Sequence, residues 1–173
     1  VIRSALTRLA FAAGDARAAL EELLEVADGM NRLVEQHPVR LSFRRAAAEL
    51  ERDIAVALIQ GGRDEDAIAH ADLAVENLRE LASFDDSDDT VRSRLADADI
   101  VAGMARPQAG RPGEAVPCFR AARTWIEGQH ASRPEDASTA GQLGNALCSE
   151  GLAEIASGAT ESGRAHARSG VEL

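Results

Sequence analysis

The chain has 173 residues, a net charge of −10, 45% hydrophobic and 28% charged residues, and only 3% aromatics. An acidic chain with no basic, aromatic-interleaved stripe argues against nucleic-acid binding, and no apolar run nears the roughly 20 residues that span a bilayer. Alanine carries much of the apolar count, which suits closely packed helices with thin seams better than one deep core.

Residues 1–13 read as a helix, with Ile2, Leu6, Leu9 and Ala13 at helical spacing. No start signal precedes it, and the chain opens on Val1 with no secretory leader, so it is expected to be the end of a longer helix. Gly14 breaks it, and Asp15 is placed to cap a second helix running to about Gln36. The buried stripe of that helix is Ala19, Leu20, Leu23, Val26, Ala27, Met30 and Val34. After His37-Pro38, a third helix covers about 39–60 with Phe43, Ala47, Leu50, Ile54 and Leu58 on one face. It stops at Gly61-Gly62, a pair suited to a left-handed C-cap. The fourth helix, about 64–83, buries Ala67, Ile68, Ala71, Ala74, Val75, Leu78 and Leu81.

The acidic loop Asp85-Asp86-Ser87-Asp88-Asp89 comes next. A calcium loop of the EF type needs Gly at its sixth position and Glu at its twelfth; counted from Asp85, Thr90 and Ala96 stand there. The loop is read instead as solvated, its acids favouring the N-terminus of the next helix. That fifth helix spans about 90–106 and is expected to stop at Pro107. The sixth starts near Pro112, where Pro117 predicts a bend or a delayed start, and buries Phe119, Ala122 and Ile126. The lone tryptophan, Trp125, is expected to pack near its end. A seventh helix covers about 137–156. The eighth begins near Thr160 and is the weakest, because Gly163 and Gly170 each cost about 1 kcal/mol inside a helix.

One motif recurs through these elements. Gly62-Arg63-Asp64-Glu65-Asp66-Ala67-Ile68 has altered copies starting at Gly14, Gly110 and Gly158, and the four glycines stand 48 residues apart. The same step aligns Pro38, Asp86 and Pro134. Repeats of this length signify stacked supersecondary units, here about 1–38, 39–86, 87–134 and 135–173. An all-α stack of antiparallel hairpins, about eight helices in one domain, is the predicted fold.

Small residues at Ala55, Gly103 and Gly151, then a turn glycine, then Ala67 or Ala115 and Ala74 or Ala122, resemble the tetratricopeptide repeat. The usual repeat is shorter, so the chain looks like the long-helix variant found beside kinase, nucleotide-binding or regulatory modules in bacterial signalling proteins. The resemblance implies a right-handed α-solenoid that binds a protein or peptide and is not an enzyme. It also implies that the first helix of each hairpin lines a concave groove. On those helices the candidate groove residues are Arg8, Phe11, Arg52, Val56, Ile59, Ile100, Met104, Leu152 and Ile155. Their apolar members form a band that either receives a partner or packs as core; Glu49, Asp97, Asn145 and Cys148 lie on the polar half of the same surface.

Chemistry is not indicated elsewhere. Glu22, His70, Cys118 and His166 share one repeat position, but equivalent helices in a stack are separated by an intervening helix, so one ion cannot collect all four. The turn glycines lack the Lys-Ser/Thr of a phosphate loop, and no catalytic triad or carboxylate pair is apparent. Cys118 and Cys148 offer no disulfide framework and suit a reducing cytoplasm. The expectation is a cytoplasmic interaction scaffold without cofactor or metal, able to self-associate through its ends. The alternative is a ligand- or peptide-sensing regulatory domain.

Overall fold

A computed structural model of the protein describes residues 16–85 and 87–173. The expected first helix, the Asp15 cap, Arg8, Phe11 and the loop residue Asp86 lie outside the described residues. Among those described, 86% are helical and none is in a strand. Seven helices are arranged in order: α1 (Ala16–Gln36), α2 (Leu41–Gln60), α3 (Asp64–Phe84), α4 (Asp89–Gln108), α5 (Pro112–Ser132), α6 (Ala137–Ala156) and α7 (Thr160–Val171).

The 48-residue step survives in three dimensions. Helices α2, α4 and α6 begin at 41, 89 and 137 and end at 60, 108 and 156. Gly62, Gly110 and Gly158 carry the positive φ values of 69°, 77° and 98°, the left-handed turn that a side chain disfavours. The next amide in each case reaches back across the helix end: Arg63 to Leu58 O, Arg111 to Arg106 O and Ala159 to Glu154 O. At the other end of the hairpins, Asp88 caps α4 through Thr90 N and Val91 N, and Asp136 caps α6 through Ser138 N. Asp85 instead accepts from the amide and hydroxyl of its neighbour Ser87. The acidic loop is therefore turn and cap.

Every helix packs on its chain neighbours, and α2 also touches α4, as α4 touches α6. The alternate helices α1, α3, α5 and α7 do not pack on one another. The first helices of successive hairpins thus form an inner layer, and the second helices are splayed on the outer side. The seven residues expected to be buried in α3 are its buried residues. The small positions Ala55, Gly103, Gly151, Ala67, Ala115, Ala74 and Ala122 are all buried as well. At Gly103 an added Cβ would sit 2.7 Å from the Phe119 ring of α5, so the absence of a side chain sets that helix spacing.

One proline expectation needs correction, and the alternatives at another narrow. Helix α4 continues past Pro107 to Gln108. A proline in the last turn forfeits one bond only, and the turn closes regardless, with Ala109 N donating to Ala105 O and Gly110 N to Pro107 O. Of the bend or delayed start expected at Pro117, the delayed start does not occur: α5 begins at Pro112 and runs through Pro117. The carbonyl deprived of its donor is that of exposed Gly113, which water can satisfy. Among the described residues no helix is long and apolar enough to cross a membrane.

Candidate binding groove

The inner layer presents an open recess of about 1020 Å³, walled by α2, α4 and α6 and by the end of α5. Arg52, Arg94, Asp97 and Ile100 line it from α2 and α4, Trp125 and Gln129 from α5, and Gln142 and Asn145 from α6. Arg94 pairs with Glu49 across the two inner helices. Burial raises the Asp97 carboxyl above its ordinary range, against the opposing charges of Arg52 and Arg94. Trp125 is half-buried, packs on the Ile126–Leu143–Leu147 cluster, and carries the Arg92 guanidinium 5.6 Å from its ring centroid. It therefore both packs, as expected, and faces the groove.

The residues picked from the sequence separate into two sets. Val56 and Ile59 are half-buried against the core of α2, α3 and α4. Ile100 is half-buried against two clusters, and Ile155 is half-buried beside Gly163 of α7. Arg52 is half-buried and bonded to its neighbour Asp53. Met104 and Leu152 are the exposed members, at 46% and 64%. They occupy the same position in successive repeats. Met104 lies one turn beyond Ile100, and Leu152 two turns beyond Asn145, on the same helix faces.

Sequence reasoning missed the buried charges. Glu51, Asp99, Glu150 and Glu154 are all buried, on the seam side of the inner helices. Glu51 accepts from Asn31 Nδ2 at 2.7 Å and faces His70 Nδ1 at 2.6 Å. Glu150 accepts from Arg120 and Arg123 at 2.9 and 2.6 Å. Glu154 meets Ser162, His166 and Arg120. Burial pushes Glu154 upward, but the hydrogen bonds from His166 and Ser162 and the charge of Arg120 outweigh it and hold the carboxyl below its ordinary range. The signal was available. Glu51 and Asp99 are 48 residues apart, and Glu51 falls three residues before Ile54 on the packing face.

No family model matches the chain. No curated protein matches it either.

The shared position of His70, Cys118 and His166 does not gather them; His70 and His166 each serve a different buried acid. Glu150, Glu154 and His166 do bring ligand atoms within 4.8 Å of one another. Both Glu150 oxygens and both Glu154 oxygens already accept from arginine, serine or histidine. A cation would have to displace two guanidinium groups there, so the arrangement reads as a charge-compensated seam between α5, α6 and α7. Burial also raises the Cys118 thiol above its ordinary range, which keeps it protonated and unreactive.

Proposed function

We propose that this chain is a protein-interaction scaffold of tetratricopeptide-like hairpins whose inner groove takes an extended segment of a partner protein. One observation carries the reading: Gln142 and Asn145 line the groove, and neither side chain makes a hydrogen bond to the described residues. Side-chain amides offer both donors and acceptors, the pair that a peptide backbone requires. Further along the same faces, exposed Met104 and Leu152 supply apolar contacts for the segment's side chains. The recess is open rather than closed, which suits a chain segment better than an enclosed small molecule. One observation favours the alternative, a ligand- or peptide-sensing regulatory domain: a buried carboxylate, Asp99, lines a second recess on the outer side.

Peptides selected from a displayed random library against the purified chain test the scaffold reading. Binding is expected to shift the emission of Trp125 in the groove wall. Loss of one such apolar contact costs about 1.5–3 kcal/mol, so Met104→Asp is expected to weaken the selected peptides by at least about tenfold with unchanged helical circular dichroism. Asn145→Arg is expected to do the same. Selection of no peptide, or of peptides that bind both variants as tightly as the parent, would overturn the proposal.

A further inference from the structure

The outer side of the stack carries a second recess, of about 770 Å³, between α3 and α5 and floored by α4. At 100° per residue, Asp99, Ala102 and Arg106 of its floor lie on the opposite face of α4 from Arg94, Asp97 and Ile100 of the inner groove. The two recesses are separate surfaces with no lining residue in common, so a ligand of the outer one is independent of any occupant of the inner one.

The 48-residue step shows what is unusual here. One repeat earlier, Glu51 of α2 is held between Asn31 and His70, each at hydrogen-bond distance from a different carboxylate oxygen. The equivalents of Asn31, Glu51 and His70 are Arg79, Asp99 and Cys118. Two side chains have shrunk: the acid has lost a methylene, and a thiol replaces an imidazole ring. The third exchange, Arg79 for Asn31, lengthens a side chain, but Arg79 is largely exposed, and the cleft stays open beside the shortened acid. The exchanges also leave the acid under-bonded. Asp99 is 4% exposed, yet its side chain's one hydrogen bond within the described residues is a 3.4 Å contact from Arg79, itself 62% exposed. Cys118 Sγ turns instead toward Glu114 O. The second Asp99 oxygen has no donor among the described residues and is not sealed from solvent, so it is free to accept from a ligand that enters the cleft.

The other groups of the cleft favour one class of ligand. Arg106 is already committed, donating through Nη1 to Ala102 O and through Nη2 to both Asp72 oxygens. Glu76, Glu80 and Glu114 stand around the mouth. Arg44 pairs with Glu80 and Arg111 with Glu114 from outside the lining, so five carboxylates stand against four arginines, a small negative balance in a chain that is itself acidic, which favours cations over anions.

We propose that this outer cleft binds a compact organic cation, an ammonium or guanidinium group, which donates to the free oxygen of Asp99. The group could be a free amine or the side chain of an arginine or lysine in a partner protein; the recognising chemistry is the same. In either case the cation stands where the imidazole of His70 stands one repeat earlier.

Calorimetric titration of the whole chain with agmatine, and separately with N-acetyl-arginine amide, tests this in about 0.15 M salt, where diffuse attraction to the acidic surface is screened. Saturable one-to-one binding of at least one probe is expected. A hydrogen bond to a charged group contributes about 1.5–3 kcal/mol, so Asp99→Asn is expected to weaken binding by about tenfold or more. Cys118→His restores the earlier repeat's filling and is expected to block binding while Asp99 remains. Glu135→Gln, in the exposed turn between α5 and α6 and in neither recess, is expected to change nothing. Tighter binding of the blocked arginine identifies a protein side chain as the source, and tighter binding of agmatine a free amine. Absence of saturable binding by both probes, or equal affinity in the Asp99→Asn and parent chains, would overturn the proposal.

Discussion

Asp99 shows how much one side chain can cost when its surroundings are incomplete. Burial raises its carboxyl from 3.8 to about 6, and the charges of Arg79 and Arg106 only partly oppose the shift. Because the folded state holds the proton more tightly, stability is lost as pH rises from about 3.8 through about 6, and the cost stays constant above that. One pKa unit corresponds to about 1.4 kcal/mol, so the penalty near neutral pH is on the order of 1–3 kcal/mol. Asp99→Asn is therefore expected to stabilise the chain by that amount at pH 7.5, with the gain shrinking toward pH 4. Urea unfolding at the two pH values measures it. A variant less stable than the parent by the same margin at both would show that Asp99 is bonded better than its 3.4 Å contact indicates.

At the scale of the element, α7 carries two glycines that helix propensity counts against it and that packing uses. Gly163 and Gly170 mark it as a weak helix when read alone. In the structure they face Gly151 and Gly144 of α6, and a Cβ at Gly163 or Gly170 would lie 2.4 or 2.5 Å from the opposing backbone oxygen. The four glycines, spaced seven apart on each helix, let two backbones meet directly. Alanine at these sites gains about 1 kcal/mol of helix propensity but forces the helices apart at a cost of up to about 3 kcal/mol. Gly163→Ala is expected to lower stability by about 1–2 kcal/mol. Gly128→Ala, in α5 with nothing within 4 Å of the added atom, is expected to raise it by up to about 1 kcal/mol. Thermal or urea unfolding of the pair checks the opposed signs; stabilisation by both would mean that the α6–α7 seam is looser than its geometry.

At the scale of the whole molecule, helix contacts among the described residues run only between chain neighbours and between successive inner helices. Stability in such a stack is a sum of units and nearest-neighbour seams. A lesion at one seam should then stay local. Gly170→Ala is expected to lower hydrogen-exchange protection in α6 and α7 while leaving the amides of α2 and α3 close to their parent values. Uniform loss of protection across all seven helices would show a single cooperative core in place of coupled repeats.

The fixed period, the left-handed glycines at 62, 110 and 158 and the buried face of α3 were legible from residue order alone. Each depends on local rules: which residue tolerates positive φ, and which positions share a helix face. Helix ends were also close, except at Pro107, which was given more power than one missing hydrogen bond confers. The groove was legible only in outline. Periodicity places Val56, Ile59, Met104 and Leu152 on the inner helices, but how far each is covered depends on the angle at which the next hairpin packs. Tertiary structure alone decided that the first helices touch while the second helices splay, and that Gly163 finds Gly151. It alone brought Asn31 and His70 to Glu51, and left Asp99 with a long bond to Arg79 and an open cleft beside it. Those pairings join residues 12 to 20 positions apart across separate helices, and no local spacing rule reaches that far.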